Sequence, residues 1–465
     1  VMAGAGSGKT RVLTERIAYI IDQGISPFQI LAVTFTNKAA NEMKRRVEDL
    51  VHVETKYMWI STFHSFCARL LRTEITALPP YTKNFLILDE EDSLKIIKNI
   101  CKDMDIDEIK PRKLQGLISK AKNFPNYKIS DLHLKSIFEK VNQHYSVYLA
   151  ENNMLDFDDL LIKTIELFKA NMEILKRYQE KFQYILVDEF QDTNELQYDL
   201  IFMLAARHHN LFVVGDDFQS IYSFRGAKIE NINRFRTDFL EHNLILLEEN
   251  YRSTMPILNL ANEIIKHNPN QIKKVMFTKN KEGVVPFYYE AVSGKSEAMF
   301  VVDKIKEFHL RGDSYNDFAI LYRANYISRV FEDFLIKYQI PYRIYGGLSF
   351  FARKEIKDMI AYLRVMIYPE DDFSFMRIVN EPKRKIGSAL LEKLNLHALE
   401  VQTSLYNSIP TFEGKGAGFT ALKEFHTTME SLKNQINNIP LVKLIDVVLE
   451  ETGYKAMLAL EDPEH

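Results

Sequence analysis

Lys9, Thr10, Asp188 and Glu189 are the side chains of this sequence best suited to chemistry at a phosphate ester. Lys9 and Thr10 close the run Ala3-Gly4-Ala5-Gly6-Ser7-Gly8-Lys9-Thr10, a loop whose glycines let backbone N–H groups turn onto phosphate oxygens. The lysine ammonium reaches β- and γ-phosphates and the threonine hydroxyl can ligate Mg²⁺. Ala3 fills a slot where such loops usually carry another glycine. A Gly/Ser-rich turn ahead of a helix is the plain alternative. The helical pattern of Val12, Leu13, Ile17 and Ile20 after Gly-Lys-Thr is the context a phosphate loop requires.

Asp188 and Glu189 follow the apolar run Tyr184-Ile185-Leu186-Val187, so a buried strand delivers two carboxylates at its C-terminal end, where ligands of doubly wound sheets bind. Beside a phosphate loop, Asp188 suits Mg²⁺, through water or together with Thr10, and Glu189 suits polarising an attacking water. Alone, the pair would read as a solvated turn. The next strand leads into Gly215-Asp216-Asp217-Phe218-Gln219-Ser220-Ile221-Tyr222-Ser223-Phe224-Arg225-Gly226-Ala227. Gln219 can sense a γ-phosphate. Tyr222, Phe224 and Arg225 alternate aromatic and cationic groups as a stacking platform for unpaired bases does, or else belong to the core.

Positioning these groups takes alternating strands and helices. Residues 1–85 read as α/β, with strands at Ile30 to Phe35 and Tyr57 to Phe63 and a helix from Asn37 to Val51 between them. Four helices follow, over Ser93 to Cys101, Pro111 to Lys122, Leu132 to Glu151 and Phe157 to Ala170, punctuated by Pro79-Pro80 and Pro125-Asn126. Strands return at Tyr184 to Val187, Leu211 to Val214 and Leu244 to Leu247. A second α/β region is expected from about residue 270, with strands near Val285 to Tyr289, Asp317 to Tyr322 and Tyr342 to Tyr345, and helices from about Pro369 onward. Only Val1 and Met2 precede the phosphate loop, so its strand reads as cut and the sequence as a piece of a longer protein.

At 465 residues the chain exceeds one core. With 46% apolar and 26% charged residues it has the composition of a globular protein. A net charge of −3 confines any nucleic-acid surface to a local patch. Two cysteines, Cys67 and Cys101, make neither a disulfide framework nor a metal set, which points to a reducing compartment. No apolar run approaches the ~18 residues of a bilayer span.

Six ordered stretches together resemble superfamily-one DNA helicases of the UvrD/Rep/PcrA group. They are Gly4 to Thr10, Thr34-Phe35-Thr36-Asn37-Lys38-Ala39-Ala40, Thr62-Phe63-His64-Ser65, Asp188-Glu189-Phe190-Gln191-Asp192-Thr193-Asn194, the Gly215-to-Ala227 stretch, and Asn250-Tyr251-Arg252-Ser253. Ile320-Leu321-Tyr322-Arg323-Ala324-Asn325, Pro341 to Gly347 and Arg353 to Asp358 fit as well. The resemblance implies an α/β fold: a P-loop RecA-like parallel-sheet motor domain with a helical insertion, then a partial second RecA-like domain with its own helical insertion. The implied boundaries are 1–85 with 183–265 for the first motor domain, 86–182 for its insertion, 266–368 for the incomplete second domain and 369–465 for the truncated second insertion.

By the same resemblance the activity is an ATP-dependent, 3′-to-5′ DNA helicase and translocase of repair or replication, using ATP and Mg²⁺ on single-stranded and duplex DNA, in the cytoplasm. A motor subunit of a helicase–nuclease complex, or a non-catalytic ATP- and DNA-binding module, stands as the alternative. Residues 3–10 and Tyr251 would bind nucleotide, the tyrosine by stacking on adenine. Lys9, Glu189, Gln219 and Arg252 would be catalytic, the arginine as a finger on the γ-phosphate. Phe35, Asn37, Phe63, His64, Tyr222, Phe224 and Arg225 would line a DNA track, faced by Arg323 and Asn325 from the second lobe. His64 also fits a role as an ordinary hydrogen-bonding loop histidine. Three departures stand out. Phe218 replaces a usual acidic residue. Lys385 replaces the first glycine of a Gly-Ile-Gly turn in Pro382 to Gly387. The glutamine-containing adenine motif and two late motifs of the group are missing.

Overall fold

The computed structural model describes residues 1–465 apart from 52–54, 56–57, 125–126, 224–225, 269–270, 346–352, 437 and 462–465. The chain divides into two compact units, Val1–Tyr288 and Tyr289–His465.

The first unit is built on parallel strands. Its order begins β1 (Met2–Ala3), α1 (Lys9–Asp22), β2 (Ile30–Thr34), α2 (Asn37–Val51), β3 (Trp59–Thr62) and α3 (Phe63–Glu74). It continues with β4 (Leu86–Leu88), α4 (Glu90–Asp103), α5 (Pro111–Asn123), α6 (Leu132–Glu151), β5 (Met154–Asp156), α7 (Phe157–Ala170) and α8 (Met172–Lys181). It closes with β6 (Tyr184–Val187), α9 (Glu195–Ala205), β7 (Leu211–Val213), α10 (Glu230–Asp238), β8 (Leu246–Leu247) and α11 (Met255–Ile265).

The strands pair in the order β3-β2-β6-β7, all parallel. β1 pairs parallel with β8 and is tied to the end of β7 by Ala3 N–H donating to Gly215 O at 2.9 Å. Alternate strand residues point to opposite faces, and both faces are covered, so the strands are continuously apolar. Ile30, Ala32, Ile60 and Leu186 pack with Leu13, Ile17, Met43 and Val47 from α1 and α2. Leu31, Val33, Ile185 and Val187 face the other way, onto a core shared with α3, α7 and α9 through Phe63, Phe66, Leu160, Phe168 and Tyr198. Within the expected insertion 86–182, α7 and α8 share the sheet's own core. The same segment also contains a two-stranded parallel ladder, β4 with β5, whose three-residue strands are too short to show a period.

The second unit contains, among its described residues, helices only. These are α12 (Gly294–Leu310), α13 (Ser328–Lys337), α14 (Lys354–Ile367), α15 (Asp372–Ile378), α16 (Ser388–Glu400), α17 (Leu405–Ser408), α18 (Ala417–Lys433), α19 (Leu441–Glu451) and α20 (Tyr454–Glu461). α14 to α20 enclose one core that includes Tyr362, Phe375, Tyr406, Phe425 and Val448. The strands expected near Val285 to Tyr289, Asp317 to Tyr322 and Tyr342 to Tyr345 do not form. A β-prone run becomes a strand only when another strand pairs its backbone. No ladder reaches these runs, and Val285, Tyr288 and Leu321 are 71%, 85% and 94% exposed. Residues 266–288 lie within the first compact unit.

The Pro382-to-Gly387 stretch keeps the backbone of a glycine turn without the glycine. Lys385 has φ +63°, in the left-handed region. Beside it Arg384 donates to Tyr362 Oη at 2.7 Å and to the carbonyls of Thr452, Ile378 and Pro382 at 3.0–3.1 Å, so its guanidinium is committed to holding α14 and α19 together.

Candidate active site

The glycine-rich loop expected to bind phosphate runs from β1 into α1. Gly6 and Gly8 have φ +68° and +94°, conformations that L side chains rarely adopt. A Cβ on Gly6 would stand 2.7 Å from Asn250 Nδ2 and from Arg252 Cβ, and one on Gly4 2.5 Å from Met276 Sδ. The loop is therefore clasped by chain from far along the sequence. The Asn250 amide donates to Ala5 O, Tyr251 N–H to Gly6 O at 3.0 Å, and Asn250 Oδ1 accepts from Arg252 and Ser253 N–H at 2.9 and 2.7 Å. Ser7 Oγ closes the loop internally on Gly4 O at 2.7 Å. Ala3 is buried in the strand. α1 starts at Lys9, so its leading N–H groups have no helical acceptor and face outward as an anion site does.

Lys9 is buried, with Nζ 3.9 Å from Asp216 Oδ2, beyond hydrogen-bond reach. Asp188 directly follows β6 and is 3% exposed; its Oδ1 is buried with no hydrogen-bond partner. Burial, with Glu189 adding to it, pushes its carboxyl up to about 6. Glu189 adopts φ +49°, an uncommon conformation for a non-glycine residue that turns the chain sharply after the strand. Its Oε2 accepts from Gln191 Nε2 at 2.9 Å, while Gln191 Oε1 accepts from Asp216 N–H at 2.8 Å. Gln191, 1% exposed, thus joins the acidic pair to the loop after β7. In that loop Asp216 Oδ2 accepts from Gln219 Nε2 at 2.6 Å.

A cleft of about 970 Å³ in the first unit brings two sets of expected residues together. Thr10, Asp188, Glu189 and Gln219 line it with Phe35, Phe63, His64 and Tyr222. Phe35 and Phe63 meet edge to face at 6.0 Å. His64 packs edge-on against Phe157 at 5.9 Å, and burial lowers its pKa despite Asp158 nearby. Asn123 of α5 and Asp158 of α7 line the same cleft, linked by Asn123 Nδ2 donating to Asp158 Oδ1 at 2.7 Å. Asn37 starts α2 outside this lining. Tyr251, 73% exposed, and Arg252 lie against the loop at Gly6, also outside it. Arg323 and Asn325 are exposed on the second unit, Asn325 at the start of a short 3₁₀ turn. Phe224 and Arg225 fall outside the described residues.

Sequence reasoning left Gln191 and Asn250 unassigned, although both stand inside quoted motifs. It missed Lys274 altogether, since that residue belongs to no motif. Lys274 is fully buried, with Nζ 2.6 Å from Asp216 Oδ1 and 2.5 Å from Asp217 Oδ1, and its ammonium lies 4.1 Å from the centre of the Phe218 ring. A phenylalanine in that place meets a cation through its π face.

Asp192 supplies a pH prediction. Burial, then Glu189, raises its carboxyl to about 7. The folded protein then holds a proton that the unfolded chain, titrating near 4, has lost, so folded stability falls as pH rises from about 4 to 7. Asp192→Asn removes that cost. Its melting midpoint is expected to exceed that of the unsubstituted protein at pH 8, with the difference closing by pH 4. Equal midpoints at both pH values would show that Asp192 is not so perturbed.

The first unit thus joins a parallel sheet to a glycine-rich loop at the start of α1 and an acidic pair after β6, with Gln191 linking that pair to the loop after β7. Residues 1–240 match the family model of the UvrD/REP helicase N-terminal domain and residues 245–438 that of the UvrD-like helicase C-terminal domain; the chain belongs to the UvrD/REP helicase family. It is similar to the ATP-dependent DNA helicase PcrA of Staphylococcus aureus, 44% identical over 99% of this chain and 65% of the relative. The PcrA of Staphylococcus epidermidis is 45% identical over the same shares. The chain thus spans 65% of the length of these curated relatives. Among the described residues, no helix is long and apolar enough to cross a membrane.

Proposed function

We propose that this chain is the ATP-hydrolysing, strand-tracking part of a DNA helicase and translocase that moves 3′ to 5′ on single-stranded DNA. The supporting observation is the continuity of one cleft from Thr10, Asp188, Glu189 and Gln219 to Phe35, Phe63, His64 and Tyr222. The first unit is read as a RecA-like motor domain, with residues 86–182 as its insertion.

The loop Gly4 to Lys9 cradles the phosphates of ATP; the positive-φ glycines keep side chains out of that cradle. Thr10 and Asp188 would hold Mg²⁺, since an orphaned buried carboxylate oxygen and a hydroxyl are the hard donors such a cation takes. When bound, the ion supplies charge neutralisation at the β- and γ-oxygens. Glu189 polarises the attacking water as the bond to the β,γ-bridging oxygen breaks. Gln191 holds the Glu189 carboxylate in place. Arg252, fixed against Gly6 by Asn250, is assigned to the γ-phosphate and Tyr251 to the adenine face. Gln219 carries the state of the γ-phosphate to Tyr222, and the aromatic groups hold bases by stacking, each worth about 1–3 kcal/mol. Arg323 and Asn325, on the second unit, are assigned to DNA contact.

The test is ATP hydrolysis with and without single-stranded DNA. Stimulation of tenfold or more is expected. Retained nucleotide and DNA binding with no hydrolysis would return the chain to a non-catalytic binding module.

A further inference from the structure

Resting on the proposed reading of the cleft, we propose that Lys274 is a positioning residue that keeps Lys9 available to phosphate and Gln219 aimed into the cleft, acting on both through Asp216. Asp216 is fully buried. Oδ1 accepts from Lys274 Nζ at 2.6 Å and Phe218 N–H at 3.2 Å. Oδ2 accepts from Gln219 Nε2 at 2.6 Å and stands 3.9 Å from Lys9 Nζ. Lys274 therefore saturates one oxygen, and the other is shared between the sensing amide and a lysine it does not quite reach.

Remove the Lys274 ammonium, and Lys9 becomes the nearest cation to a buried carboxylate. Attraction between opposite charges grows steeply as they close in a medium of low dielectric constant. Lys9 would then swing onto Asp216, away from phosphate and in competition with Gln219 for Oδ2. The Lys274 contact works the other way: it occupies Asp216 from the opposite side.

The placement of Lys274 suits this role. Ile272 N–H donates to Asp217 Oδ2 at 2.6 Å, Met276 packs over Gly4, and Phe277 bridges to Glu249 while its carbonyl accepts from Asn250 N–H at 2.7 Å. Residues 272–277 thus form a strap across the loop after β7, the phosphate loop and the Asn250 clasp. The strap lies close before Tyr288, where the first unit ends.

The test uses the full 465-residue chain and equilibrium titration with a non-hydrolysable Mg-ATP analogue, with and without oligo-dT. Lys274→Met is the direct variant. Because it leaves Asp217 without its cation, Lys274→Met combined with Asp217→Asn removes one charge of each sign and preserves folding; thermal melting verifies this. Expected for the double variant is about tenfold weaker analogue binding and loss of the tightening that oligo-dT confers on the unsubstituted protein. Lys274→Arg, which keeps the charge, restores both, a rescue that a merely structural role for the lysine stem would not require. A folded double variant with unchanged analogue affinity and unchanged oligo-dT linkage overturns the inference and leaves the reading of the cleft intact. An unsubstituted protein that binds no analogue removes that reading, and this inference with it.

Discussion

Lys9→Ala is expected to lower DNA-stimulated ATP hydrolysis by about 10³-fold, the upper end of what removing one charge-stabilising donor from a transition state costs. The side chain stands at the first position of α1, where the helix N-terminus already favours negative charge. Its ammonium is buried and close to one carboxylate without bonding to it, so it is desolvated yet uncommitted to a short ion pair. Such a charge is worth far more to a transferring phosphoryl group than a solvated one. The fold is expected to survive, because Asp216 keeps Lys274, Gln219 and the Phe218 N–H as partners. Steady-state hydrolysis on single-stranded DNA, with a melting curve alongside, measures both halves. Full activity in a folded Lys9→Ala protein would refute the phosphate-loop assignment.

Glu189→Gln separates chemistry from binding. Turnover is expected to fall by about 10²–10⁴-fold, the usual contribution of a general base, while Mg-ATP affinity stays within a few-fold. The glutamine keeps an oxygen that can accept from Gln191 Nε2, as Glu189 Oε2 does at 2.9 Å, so the hold on this position survives. What disappears is the negative charge that draws a proton from water. That loss also removes one of the two influences that raise Asp188, so the carboxylate proposed for Mg²⁺ ionises more readily in the variant. Nucleotide titration together with single-turnover hydrolysis decides the matter. If Mg-ATP binding vanished, Glu189 would be a ligand or a structural residue and the base would have to be sought elsewhere.

Much of the cleft was legible because its chemistry is local. Glycines at 4, 6 and 8 before Lys-Thr state a loop conformation on their own, and Gly6 and Gly8 have the positive φ that only such residues adopt without strain. The apolar run Tyr184 to Val187 carries its own signal of a doubly covered strand, and Asp188 and Glu189 follow it by covalent connection. The Asn37-to-Val51 helix was equally plain, with Ala40, Met43 and Val47 one to two turns apart on its buried face. Residues 285–289, 317–322 and 342–345 carried a similar β signal and are not strands. A ladder is a property of two segments, and propensity describes only one.

The amino-acid order by itself determined the reactive groups: a lysine and threonine at the mouth of a helix, two carboxylates at a strand end, an aromatic run after the next strand. It did so because each is set by neighbours a few residues away. Only the tertiary structure decided which partners tune them. Asn250 reaches Ala5 across 245 residues, and Lys274 reaches Asp216 across 58. No periodicity spans such distances; burial is what makes those contacts count, because a charge or amide withdrawn from water must find its complement wherever the folded chain happens to return.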